Sequence, residues 1–220
     1  MLATFLVLHS GTPYIYKGQE IGQINVPRSW GLDKYCDIET LNHWAKALRE
    51  HPEDEELQSM MLGQYRAKAR DNAGTPMQWD GSRNARFTGA ERPWMDVHPD
   101  HKEWNVESQV GDPRGVFNYW QAVLELRKEL KDVLVYGDFE MLDPENADSV
   151  AYARTFYGEN GAMVVASFRG YEVEWQVPEK ARVFLRCPVR LKNYEDEPQV
   201  PGDSSIRLRP FEALVFVRSG

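Results

Sequence analysis

Residues 70–80 read RDNAGTPMQWD, which places a guanidinium, carboxylates, two amides, a Gly-Thr-Pro turn and an indole in one short stretch. The run is too polar for a core strand and too aromatic for a solvated linker, so it reads as the wall of a pocket. Arg70 offers a planar fork of N–H donors that can hold sugar hydroxyls or orient a carboxylate. The alternative for Arg70 is a salt bridge at a helix end. Around this stretch stand Asp33, Asp37, Glu39, Asp71, Asp80, Glu91 and Asp96. Two of them could in principle cleave a glycosidic bond, which in retaining enzymes needs carboxyl groups about 5 to 5.5 Å apart, one protonated and one ionised. Nothing in the spacing selects a pair. His9, His43, His51, His98 and His101 form no HExxH or HxH arrangement, and GxSxG, P-loop and GxGxxG patterns are absent. The sequence therefore calls for no metal and no cofactor.

The elements that must position these groups follow from periodicity. Residues 1–9 are nearly all apolar and helix-compatible, and Gly11-Thr12-Pro13 makes a turn into a β-favouring run at Tyr14, Ile15 and Tyr16. Polar residues then begin abruptly at Lys17. Helix, then strand, then polar groups at the strand's carboxyl end is the pattern of an α/β barrel, which makes Glu20 a pocket candidate. The alternative for Glu20 is a hydrogen bond to the neighbouring loop backbone. Residues 37–50 carry Leu41, Trp44, Ala45 and Leu48 at helical spacing behind an Asp37 N-cap. Residues 56–69 carry Leu57, Met60, Met61, Tyr65 and Ala69 on one side, with cations at the end where they complement the dipole. The acidic run at 53–56 is a solvated first turn.

Residues 71–115 form a long irregular stretch, and loops beyond about 15 residues in compact domains are functional or disordered. Trp79, Phe87, Trp94 and Trp104 argue against disorder. Their rings either stack on sugar faces or pin the loop to the rest of the domain. Asp112-Pro113 predicts the start of a helix with Phe117, Trp120, Val123, Leu124 and Leu130 as its apolar stripe. Beyond residue 132 the pattern becomes β, with predicted strands at 133–136, 149–157, 162–168, 172–177, 181–187, 205–208 and 211–218. Turn signals at 157–161 and 201–203 separate them. This spacing predicts an antiparallel sandwich of about seven or eight strands. The expected division is a barrel part over 1–132 and a sandwich over 133–220.

Composition sets the outer limits. With 42% hydrophobic and 12% aromatic residues the chain can build real cores. Thirty-four acidic against 26 basic side chains give a formal charge of −8, with no basic cluster to offset it, which argues against a nucleic-acid partner. Cys36 and Cys187 are far apart and show no ligand spacing, so reduced thiols and a cytoplasmic setting are expected. The apolar start lacks the basic region of a signal peptide and is shorter than the ~20 residues of a membrane span, so no membrane is expected. Beginning inside a structural element, the chain reads as a fragment.

GTPYIYKGQEIG, the Lys34-Tyr35 loop, RDNAGTPMQWD, NVESQVGDP and the helix VFNYWQAVLELRKEL together resemble the C-terminal part of the glycoside hydrolase family 13 α-glucosidases, of the maltase and oligo-1,6-glucosidase branch and fungal-like. The likeness is strong to about residue 142 and looser beyond. It implies the end of a (β/α)8 barrel, with its seventh helix, eighth strand near residues 13–17 and eighth helix, followed by an antiparallel β domain. It also implies hydrolysis of terminal α-linked glucose with net retention, on substrates such as maltose or isomaltose. In that family the nucleophilic Asp, the acid/base Glu and an Asn-His-Asp set lie upstream of the position matching Met1. The resemblance thus implies no catalytic residue here and an inactive isolated chain. It puts Arg70 on an arginine that lines the glucose pocket and Glu39 on a loop acid near the leaving-group side, with Glu20 and Asp71 as pocket-structural residues. The family commonly has Arg where this chain has Gly74. Sucrose isomerisation or transglucosylation on the same fold, or a non-catalytic sugar-binding or scaffold remnant, are the alternative outcomes.

Overall fold

The computed structural model describes residues 1–158, 160–202 and 204–219. Glu159 and Asp203, which belong to two of the expected turns, lie outside the described residues. The chain forms two compact units, Met1–Tyr14 with Tyr119–Gly220, and Ile15–Asn118. These units cut the chain at different places from the expected 1–132 and 133–220 division, because the first helix is packed with the β domain's unit.

In the first unit, α1 (Leu2–Leu8) follows from the apolar N-terminal run, with Ala3, Thr4, Val7 and Leu8 buried. Its C-terminal carbonyls are satisfied by Arg127, whose guanidinium donates to the carbonyls of Val7, His9 and Gly11. Seven antiparallel strands follow among the described residues: β1 (Asp138–Met141), β2 (Ser149–Phe156), β3 (Asn160–Ser167), β4 (Val173–Gln176), β5 (Val189–Lys192), β6 (Ser205–Leu208) and β7 (Ala213–Arg218). Five make one sheet in the order β1-β2-β3-β7-β5, and β4 pairs with β6 in a second. Ala151, Met163, Val165, Leu214 and Phe216 of the larger sheet share one core with Trp175, Ile206 and Leu208 of the smaller. That shared core is the sandwich the alternation predicts. The central strands β3 and β7 are buried along nearly their whole length, whereas β4 alternates buried and exposed residues.

The second unit is built by α2 (Ile38–Glu50), α3 (Glu55–Lys68), the single turn α4 (Asp71–Gly74) and α5 (Val106–Val110), joined by loops and 3-10 turns. Asp37 caps α2 by accepting from the Thr40 amide, and Asp54 caps α3 by accepting from the Leu57 amide. Their apolar sides meet in a core of Val26, Trp30, Tyr35, Ala47, Met61, Tyr65 and Met95. Helix α6 (Val116–Glu129) starts in this unit and continues into the other.

Four sequence expectations are corrected. Residues 13–16 belong to no helix or strand and Lys17 lies in a turn, and Tyr14 is 88% exposed. A parallel strand exists only as part of a ladder, and no described strand offers one. Residues 133–136 lie in a π-helical turn, Asp132–Tyr136, entered directly from α6 through the Leu134 amide and Leu130 carbonyl. Of residues 181–187, all but the C-cap Cys187 fall in a 3-10 helix, Glu179–Arg186, that buries Ala181 and Phe184 three apart. Asp112 caps the turn before α6 by accepting from the Arg114 amide, so α6 starts at Val116 and Pro113 stays outside it. A Cβ on Gly115 would lie 3.0 Å from the Asp112 carbonyl oxygen, so this tight turn favours glycine.

Candidate functional site

The pocket wall begins where α3 ends. Ala69 is extended, and Arg70 turns the chain into α4. The Asp71 side chain, 3% exposed, accepts from the backbone amides of Cys36 at 2.6 Å and Asp37 at 3.0 Å. Asp37 in turn accepts from the Thr40 amide at 3.1 Å and hydroxyl at 3.2 Å. One buried carboxylate therefore ties the start of α2 to the start of α4. As a result Glu39, in the first turn of α2, and Arg70 line one open cleft of ≈ 790 Å³ together with His43, Tyr65 and Lys68.

Beyond α4 the wall is strapped down on both sides. The Gln23 amide donates to the Thr75 hydroxyl at 2.9 Å and the Pro76 carbonyl at 3.0 Å. Tyr16 donates to the Ala73 carbonyl at 2.8 Å, and Lys17 to the Thr75 carbonyl. Gln78, fully buried, donates to Asp100 and to the Trp104 carbonyl, both at 2.7 Å. The amides of Val106 and Glu107 close onto the carbonyls of Gln78 and Trp79. These bonds make residues 75–79 a fixed wall and leave the side chain of Trp79 half exposed.

Arg70 and Glu39 are both exposed, and neither side chain forms a hydrogen bond or ion pair with a described residue. The salt bridge considered for Arg70 is thus not formed among the described residues. Lys68 is likewise unpaired among them, and His43 shares a hydrogen bond of 2.7 Å with the Tyr65 hydroxyl. Burial raises the pKa of the Tyr65 phenol, and burial with the nearby Asp71 raises that of Tyr35 against the pull of Arg66. Both phenols stay neutral donors or acceptors at physiological pH.

The remaining carboxylates are dispersed. Asp96 pairs with Lys34 at 2.6 Å. Asp80 accepts from the amide and hydroxyl of Ser82, which with Arg86 hold its pKa below the usual carboxylate range. It lines a separate cleft of ≈ 450 Å³ with Trp79, Arg86 and Glu107. Glu20 sits in the 3-10 turn Gln19–Ile21, outside the lining of the Arg70 cleft. Its Oε2 is buried and has no partner among the described residues, while burial lowers the Lys17 pKa against the opposing charge of Glu20. The cleft therefore holds two carboxylates, and Asp37 is occupied as a helix cap. One free carboxylate and one free guanidinium can hold hydroxyl groups, but double displacement needs a second acid.

Two cleft residues escaped the sequence reading. His43 lies one turn beyond Glu39 on α2, so the N-cap and the i, i+4 spacing held the signal. Lys68 was absorbed into the dipole argument for α3, although it lines the cleft two residues before Arg70.

Comparison with known proteins agrees with this architecture. Residues 1–137 match the family model described as "Alpha amylase, catalytic domain". The α-glucosidase of Schizosaccharomyces pombe is 38% identical over 217 residues, covering 98% of this chain and 36% of that protein. The oligo-1,6-glucosidase of Bacillus cereus is 41% identical over 216 residues, covering 98% and 37%. Among solved structures, Bacillus licheniformis trehalose-6-phosphate hydrolase superposes with a TM-score of 0.88 at 31% identity, over 100% of this chain and 38% of that one. Isomaltulose synthase from Klebsiella sp. LX3 gives 0.84 at 30% identity, over 99% and 37%. The chain spans little more than a third of the length of these proteins. With more than half of its residues matching that family model and relatives matching across almost its full length, the chain belongs to the α-amylase family, glycoside hydrolase family 13.

Proposed function

We propose that this chain is the sugar-holding part of an α-glucosidase that removes terminal α-linked glucose from oligosaccharides such as maltose or isomaltose, with retention. Arg70 donates to the hydroxyls of the bound glucose, and Glu39 accepts from the sugar on the leaving-group side. Asp71 fixes the geometry between them, and Glu20 supports the neighbouring loop. The observation that carries this reading is that Arg70 and Glu39, unpaired among the described residues, line one cleft. The nucleophile and the acid/base are supplied by residues other than those of this chain, which is inactive by itself. Among the described residues no helix is long and apolar enough to cross a membrane, and a cytoplasmic setting fits the free thiols Cys36 and Cys187. The experiment is paired: turnover of p-nitrophenyl α-glucoside by the chain, expected to be nil, and binding of methyl α-glucoside, expected to be lost in Arg70→Ala. Turnover abolished by changing an acid within residues 1–132 would overturn the assignment of catalysis elsewhere. A second reading, sucrose isomerisation on the same fold, is favoured by the likeness to isomaltulose synthase. Isomaltulose formed from sucrose by a longer form of the protein would select it.

A further inference from the structure

A cleft of ≈ 580 Å³ along α3 is lined by Ile24, Val26, Arg28, Gly63, Arg66 and His98, and shares no lining residue with the Arg70 cleft. Gly63, Arg66 and Ala67, three and four apart, present one face of α3 to it, and residues 24–28 form another wall. The chain carries a formal charge of −8, yet no carboxylate lines this cleft among the described residues. The side chains of Arg28, which is exposed, and Arg66 form no hydrogen bond or ion pair among the described residues. The Arg66 Nε is moreover buried, so it is an N–H donor held out of water with nothing to donate to. Carbonyls at a helix end repel an anion, but here Asn25 donates to those of Arg66 at 3.1 Å and Ala67 at 3.2 Å. His98, 6% exposed, adds an imidazole whose Nδ1 is held 2.5 Å from Asp100 Oδ1. Glycine disfavours a helix interior, and packing does not call for it at Gly63. A Cβ there would meet nothing within 4 Å outside the helix's own backbone, which leaves open space one turn from Arg66.

We propose that this cleft binds the phosphate group of a small organic monoester. Arg28 and Arg66 donate to the phosphate oxygens, and the buried Nε–H of Arg66 finds the acceptor it lacks. Two guanidinia match the charge of such a group, about −2 at neutral pH. The organic body lies against Ile24 and Val26 and in the space left open at Gly63. The volume falls within the range of small-molecule sites, about 300–1,000 Å³, and exceeds what a bare ion fills.

The test is NMR titration of the 220-residue chain with phenyl phosphate and with inorganic phosphate, with circular dichroism confirming the fold of each variant. Phenyl phosphate is expected to bind about tenfold tighter than inorganic phosphate, from the apolar surface it covers. Arg28→Gln and Arg66→Gln are each expected to weaken both probes about tenfold or more, the scale of a charged hydrogen bond. Gly63→Leu, which favours the helix and fills the open space, is expected to abolish the preference for phenyl phosphate. Arg49→Gln, at an arginine in the last turn of α2 outside the cleft, is expected to change neither affinity. Urea melts separate a binding role of Arg66 from a structural one: Arg66→Gln should leave the midpoint unchanged or raised, since it removes a buried, unpartnered donor. Binding of neither probe, equal affinity for both, or affinities indifferent to Arg28→Gln and Arg66→Gln would overturn the proposal. Equal weakening by Arg49→Gln would do so too, by showing attraction to any exposed cation.

Discussion

Replacing Asp71 by Ala removes the carboxylate that ties the start of α2 to the start of α4. Asp71 is 3% exposed and its Oδ1 accepts two backbone amides, at 2.6 and 3.0 Å. In Asp71→Ala both donors lose a charged acceptor, and the carboxylate's volume is vacated. Because both bonds are only part-buried, water recovers some of the loss, and about 1–1.5 kcal/mol per bond gives a destabilisation of about 2–3 kcal/mol. Asp71→Asn keeps one carbonyl oxygen with two lone pairs, so it can still accept both amides. Its cost is smaller, about 1 kcal/mol, because only the charge assistance is lost while an amide replaces the buried, unpartnered Oδ2. Urea unfolding measures the totals, and native-state hydrogen exchange at the Cys36 and Asp37 amides reads the tie itself. Exchange at these two sites should accelerate strongly in Asp71→Ala and little in Asp71→Asn. Equal exchange in both variants, or an Asp71→Ala protein within about 0.5 kcal/mol of the native chain, the range of an ordinary surface change, would refute the reasoning.

Three further outcomes are expected. Burial pushes the Tyr119 phenol up to about 12 despite its 2.6 Å hydrogen bond with Thr4, while in the unfolded chain it titrates near 10.0. Between those values the unfolded chain has lost a proton that the folded chain keeps, so stability is full below pH 10 and falls by about 3 kcal/mol towards pH 12. Tyr119→Phe should flatten that alkaline loss in urea melts followed from pH 9 to 12. Trp175, fully buried with its N–H on Asp143 at 3.1 Å, sits in the core shared by both sheets; Trp175→Ala should cost about 3–5 kcal/mol in thermal melts of the sandwich. Tyr14, 88% exposed and outside any helix or strand, should be the earliest chymotrypsin site, with cleavage inside β3 or β7 appearing last.

Helices α2 and α3 were legible because their caps and their apolar spacing agree, Asp37 and Asp54 preceding stripes that bury Ala47 and Met61. Strands β2, β3 and β7 were legible from long β-branched and aromatic runs. Residues 133–136 and 181–187 misled because their Val, Leu and Phe content satisfies a strand and a helix equally. What decided them was the continuing α6 in one case and burial at a spacing of three in the other. Strands β1 and β5 are short, partly exposed edges whose sequences, DFEM and VRLK, carry little β signal, and pairing with β2 and β7 creates them. At the site, the polarity of residues 70–80 marked a wall, and family resemblance marked Arg70 and Glu39. Their shared cleft was not readable, since it depends on a carboxylate in α4 reaching amides more than thirty residues earlier.

The central claim is that the cleft between Arg70 and Glu39 holds glucose, and saturation-transfer NMR of methyl α-glucoside on the 220-residue chain reads it most directly. The account predicts transfer to the sugar in the native chain and a loss of affinity of at least about tenfold in Arg70→Ala, the value of one charged hydrogen bond. Equal transfer with and without the Arg70 guanidinium would contradict it.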